Sequence, residues 1–180
     1  MQARSRFTFW LALGAALADP GAAWAAGMSV VDAHGNTVGQ YLGYGGGRAS
    51  VLYDAGRGQV ILELAQIAGT PGLEFASPVG AFEPTLFFES TNCTGTPYIL
   101  VYDAGAYPAL LFKPSWGGSK SLLYVADSAE SVSLVPHSQV QTRSHECLSG
   151  QGRTRLWRVS APPIDLDSMF TRPFVLQPYP

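Results

Sequence analysis

Short runs of apolar, β-branched and aromatic residues recur along the chain between clusters of Gly, Pro, Asn and Asp, a pattern that predicts strands rather than helices. Eleven strands are predicted, near residues 29–33, 37–42, 49–54, 59–64, 85–90, 97–102, 109–113, 120–126, 131–135, 139–147 and 153–159. Turn chemistry separates several of them: His34-Gly35-Asn36, Ala55-Gly56-Arg57-Gly58, and Thr94-Gly95 ahead of Pro97. Neighbouring strands are therefore expected to pair as hairpins. Alternation is clean in Ser131-Val132-Ser133-Leu134, as for a half-exposed strand. Tyr98 to Tyr102 and Leu122 to Ala126 are apolar on both faces and read as the best core strands. Polar residues on both faces from Ser138 to Glu146 predict an edge strand anchored by Cys147.

Helix is scarce. Val60 to Ala68 fits a strand or a helical stripe, and Asp165 to Phe170 fits a single turn capped by Asp165. The predicted fold class is all-β: an antiparallel β-sandwich or partly closed barrel built from short hairpins. An outer-membrane barrel needs strands of about 9 to 11 residues, longer than most of these runs. Val51-Leu52-Tyr53-Asp54-Ala55-Gly56 returns as Leu100-Val101-Tyr102-Asp103-Ala104-Gly105, but a third full copy is missing, so similar hairpin ends explain the echo better than a repeat.

The first residues have a different character. Arg4 and Arg6 precede an apolar run from Phe7 to Ala18, and Ala23-Trp24-Ala25 fits a small-x-small cleavage site. Residues 1–25 are read as a cleaved signal peptide and 26–180 as a single β domain. The apolar run is too short for a membrane span, which takes roughly 20 residues, so no transmembrane segment is expected in the mature chain. No cysteine follows the run to take a lipid, and Ser5 separates the arginines. The expected destination is secreted or periplasmic, by the general secretory route. Cys93 and Cys147 are the only cysteines, and an oxidising compartment makes one disulfide the simplest reading.

Composition narrows the partners. The chain has 180 residues, 47% hydrophobic and 13% charged, with a formal net charge of −2 and no run of Lys or Arg. Nucleic acid is therefore not an expected partner, because its affinity rests on clustered cations.

Val30-Val31-Asp32-Ala33-His34-Gly35-Asn36-Thr37-Val38-Gly39, followed by Phe88-Glu89-Ser90-Thr91-Asn92-Cys93-Thr94-Gly95-Thr96-Pro97-Tyr98, resembles a pattern in uncharacterised bacterial exported proteins. The resemblance spans roughly residues 28–113. It implies a bacterial envelope or secreted origin and an all-β fold, and it assigns no activity.

Motifs with a known mechanism are missing. The chain has no Gly-x-Ser-x-Gly, and Gly118-Ser119-Lys120-Ser121 lacks the glycine and the contiguous Gly-Lys of a phosphate loop. His34, His137 and His145 lack zinc-ligand spacing, and His145-Glu146-Cys147 lacks a second histidine. Asp165-x-Asp167 reads as a cap or solvated turn, and Asn92-Cys93-Thr94 matches a glycosylation sequon only formally. No catalytic residue, metal or cofactor is assigned.

Aromatics supply the remaining candidates. Trp116 lies in the loop Lys113-Pro114-Ser115-Trp116-Gly117-Gly118-Ser119, and Tyr44 adjoins Gly45-Gly46-Gly47. Exposed rings on β scaffolds stack on sugars or anchor proteins, so both are candidate ligand-binding residues for a glycan or an envelope or protein partner. Trp157 is expected to pack inside. The function expected is an exported, non-enzymatic binding or surface-interaction module, the alternative being a small secreted hydrolase of unrecognised type built around His137 or His145.

Overall fold

The structure, a computed structural model, describes residues 27–77, 83–101, 106–113, 120–144, 146–150 and 152–178. The first part of the chain forms β1 (Met28–Val31), β2 (Thr37–Gly45), β3 (Arg48–Asp54), β4 (Gln59–Gln66) and β5 (Leu73–Phe75). Next come β6 (Thr85–Phe88), β7 (Tyr98–Ile99), β8 (Ala109–Phe112), β9 (Leu122–Val125) and β10 (Val132–Leu134). The rest is β11 (Ser138–Gln141), β12 (Leu148–Ser149), β13 (Thr154–Arg158), β14 (Ile164–Asp165), the one-turn helix α1 (Leu166–Met169) and β15 (Val175–Pro178). The fold is all-β, with every pairing antiparallel.

The first sheet has the order β15-β1-β2-β3-β4-β5. Its strands alternate: Ala49, Val51 and Tyr53 on β3, and Val60, Leu62 and Leu64 on β4, are buried, with less buried residues between them. The stretch from Val60 that also fitted a helix is thus a strand, because β3 supplies a seven-residue partner with its apolar face in register. The sheet curls until Leu73 of β5 meets Phe174, just ahead of β15, and these two exchange backbone hydrogen bonds of 3.0 and 2.9 Å. The result is a partly closed barrel, stoppered by the rings of Phe75, Phe170 and Phe174.

A three-stranded sheet, β14-β9-β8, lies between the curled sheet and the remaining six strands, ordered β10-β13-β7-β6-β11-β12. Leu111, Leu123 and Val125 join the barrel core, while Leu110 and Phe112 join a second core with Leu86, Phe88 and Ile99. Successive side chains on β8 and β9 therefore serve different layers. This is why Leu122 to Ala126 reads as apolar on both faces. The companion expectation is met only at Tyr98 and Ile99: Leu100 and Val101 lie beyond β7, and 102–105 fall outside the described residues. The Val51 to Gly56 echo accordingly pairs β3 and its turn with no matching element among the described residues.

The predicted edge strand at 138–146 needs correction. Among the described residues only β11 forms there, and it sits between β6 and β12, with β12 at the edge. Ser138 is tolerated inside because it is satisfied: its buried hydroxyl accepts from the Cys93 N–H at 2.9 Å and donates to Ser90 O at 2.6 Å. Cys93 and Cys147 form a disulfide with Cα atoms 5.7 Å apart, tying the loop after β6 to the loop before β12. Trp157 is half-buried against the second core, and its indole N–H donates to Ala129 O at 3.1 Å.

Candidate functional site

One end of the barrel is an apolar mouth. β2 and β3 are joined by Gly46 and Gly47, whose φ values of 58° and 78° suit glycine and match the two-residue hairpin turn with positive φ at both positions. A register shift between Tyr41 and Gly43 inserts one extra residue into β2. Tyr41 then stands opposite buried Val51, and Tyr44 opposite buried Ala49, so both tyrosines share the inner face despite their odd spacing. Tyr41 packs on the barrel core, whereas Tyr44, at the rim, is 58% exposed.

Tyr44 borders a groove of about 430 Å³ with Gln66, Pro71, Leu73, Val175 and Leu176. Val175 and Leu176 are 41% and 39% exposed, and Leu42 beside the bulge is 48% exposed. Some polar groups beside this rim are engaged. The Gln66 amide donates to Thr70 O at 3.0 Å, and the Thr70 hydroxyl donates to Ile67 O and accepts from the Gly72 N–H. No carboxylate, histidine or cation lines the groove. β15 contributes Val175 and Leu176 to its apolar wall, and that short, proline-terminated strand carries too weak a signal for sequence reading.

Trp116 and His145 lie outside the described residues. His34 is exposed at the β1–β2 turn and His137 is exposed just before β11. Among the described residues no three His, Cys, Asp or Glu side chains are grouped to hold a metal ion. Asp165 caps α1 by accepting from the Ser168 N–H and also meets Lys120 at 2.5 Å, an ion pair that lowers the Asp165 carboxyl and raises the lysine. Asp167 accepts from the Ser121 N–H at 2.6 Å. Both carboxylates thus have structural partners, as a capped turn predicts. Glu74 takes Lys113 at 3.0 Å and Arg172 at 2.8 Å.

The most perturbed carboxylate is Asp32, which is buried. Burial pushes it up, but hydrogen bonds from the Thr171 N–H, the Asn36 side chain and the Asn36 and His34 N–H groups outweigh that and hold it at about 2. Every lone-pair direction points into protein donors. Asp32 is therefore the knot between the first turn and the segment leading to Phe174, rather than an acid or base facing a ligand. Asn92 accepts from the Thr94 hydroxyl at 2.7 Å in an exposed turn.

No helix among the described residues is long and apolar enough to cross a membrane. No family model, curated protein or solved structure matches the chain.

Proposed function

We propose that the protein is an exported binding or surface-interaction module whose ligand meets the barrel mouth at Tyr44. The observation that carries this reading is the exposure of Tyr44, Val175 and Leu176 around one groove at the mouth of the barrel. Exposed apolar residues grouped at a concave rim are the usual mark of a binding surface. The export part rests on the signal-like sequence of residues 1–25, on the resemblance of residues 28–113 to a pattern in bacterial exported proteins, and on the Cys93–Cys147 bridge, which suits an oxidising compartment. Because the groove is lined mainly by apolar side chains and by no charged group, an apolar group of a protein partner suits it better than a sugar, which needs several donors and acceptors.

The test is a titration followed by NMR, with two defined probes: a capped peptide rich in Leu and Phe, and a chito-oligosaccharide. The peptide should shift Tyr44, Leu73 and Leu176, and Tyr44→Ala should abolish those shifts while leaving stability within about 0.5 kcal/mol, since the ring is mostly in solvent. Binding of neither probe at the mouth, or loss of the fold in Tyr44→Ala, would overturn the assignment. Preference for the oligosaccharide would keep the site and replace the ligand class.

A further inference from the structure

A second surface, on another sheet and independent of the mouth, carries an inference of its own. β10 closes one edge of the second six-stranded sheet and pairs among the described residues with β13 alone. An edge strand leaves every other residue's N–H and C=O unpaired, and proteins ordinarily guard such edges with charges, proline or bulges. From Ser131 to Val135 the sequence reads Ser-Val-Ser-Leu-Val, with none of these devices until Pro136. Val132 and Val135 are each 44% exposed.

The adjacent strand gives this edge a sign. Ser133 stands opposite Arg155, and Arg153 lies two residues earlier on the same face of β13's path. Both arginines are exposed, and among the described residues neither has a carboxylate within ion-pair distance. Ser133 is too short to screen Arg155 from a strand laid along β10, and Val135, next in the register opposite Arg153, brings no charge. On the opposite face, Val132 and Leu134 offer apolar contact beside buried Leu156.

We propose that β10 is a docking edge for an extended segment of another protein in which acidic and apolar residues alternate. Such a segment adds as a seventh strand: its backbone takes the free edge groups of β10, its apolar residues cover Val132 and Leu134, and its carboxylates meet Arg153 and Arg155. A second copy of this chain is the wrong occupant. Pairing β10 with itself would bring the arginines of both copies onto one face with no carboxylate between them, and like charges so placed repel.

The experiment uses a capped seven-residue peptide of alternating valine and glutamate, its lysine-for-glutamate counterpart, and a version N-methylated at alternate amides. The glutamate peptide should perturb residues 131–135 and 153–156 and slow amide exchange on β10. The N-methylated peptide should fail, because the edge hydrogen bonds are blocked. Arg155→Glu, an exposed change, should weaken the glutamate peptide at least about tenfold and admit the lysine peptide. The proposal is overturned by equal binding of both charged peptides to the wild type, by affinity unchanged in Arg155→Glu, by perturbation confined to the Tyr44 mouth, or by no binding up to about 1 mM. Self-association through β10 would equally overturn it.

Discussion

Phe174→Ala tests whether the barrel is closed as described. Phe174 has no solvent exposure, its ring centre lies 4.5 Å from that of Phe75, and its backbone makes the bridge to Leu73. The substitution keeps the bridge and removes the ring. Truncating a buried Phe costs about 3 to 5 kcal/mol, from lost transfer energy and the cavity left behind. A domain of this size has only about 5 to 15 kcal/mol in total, so the expected loss is a large fraction. Urea unfolding should show a lower midpoint with an unchanged slope, and thermal unfolding should move down by on the order of 10 °C. The comparison comes from the next two residues: Val175→Ala and Leu176→Ala, at 41% and 39% exposure, should each cost less than about 1 kcal/mol. A Phe174→Ala loss no larger than theirs would refute the docking of this segment into the barrel core.

Two further outcomes follow from the cross-links. Replacing both Cys93 and Cys147 by Ala opens a loop with a sequence separation of 54, and the chain-entropy relation sets the loss at on the order of 4 kcal/mol, read as a shift in urea midpoint with the strand content by circular dichroism retained. A change under about 1 kcal/mol would contradict the bridge as a stabilising tie. Asp32 should govern part of the acid response: its folded value of about 2 lies below the ordinary 3.8, so its stabilisation is complete above the ordinary value and is lost as pH falls through the folded one. Asp32→Ala should therefore be less stable near neutrality and show a shallower loss of stability between about pH 4 and pH 2; an identical slope would assign the acid response to other carboxylates.

What sequence could and could not reveal follows from where each residue's partners lie. Strands such as β3 and β4 were legible because their alternation, the Gly56 turn and their mutual register are all local. The capped turn at Asp165 was legible for the same reason. β5, β14 and β15 were not, since two to four residues carry too little periodicity and each is a strand only through a distant partner. Ser138 and Gln139 misled because polarity was read as exposure, whereas the loop around Cys93 returns to satisfy Ser138. At the mouth, Tyr44 was visible as a ring beside glycines. The bulge that turns it inward, and the β15 wall it faces, depend on register and on the far end of the chain.

The pairing of β1 with β15 also constrains when this molecule can fold. Val31 and Val175 are ladder partners although nearly the whole domain separates them in sequence. β1 to β5 are neighbours in the chain and can pair early, yet this sheet stays open until the segment from Phe174 arrives. The middle layer is equally dependent, since β8 and β9 bury opposite faces against two sheets built from both sides of them in the chain. Such high contact order slows folding and leaves apolar strand edges exposed in the interval. Productive folding is thus deferred until the segment from Phe174 through β15 is present to close the sheet.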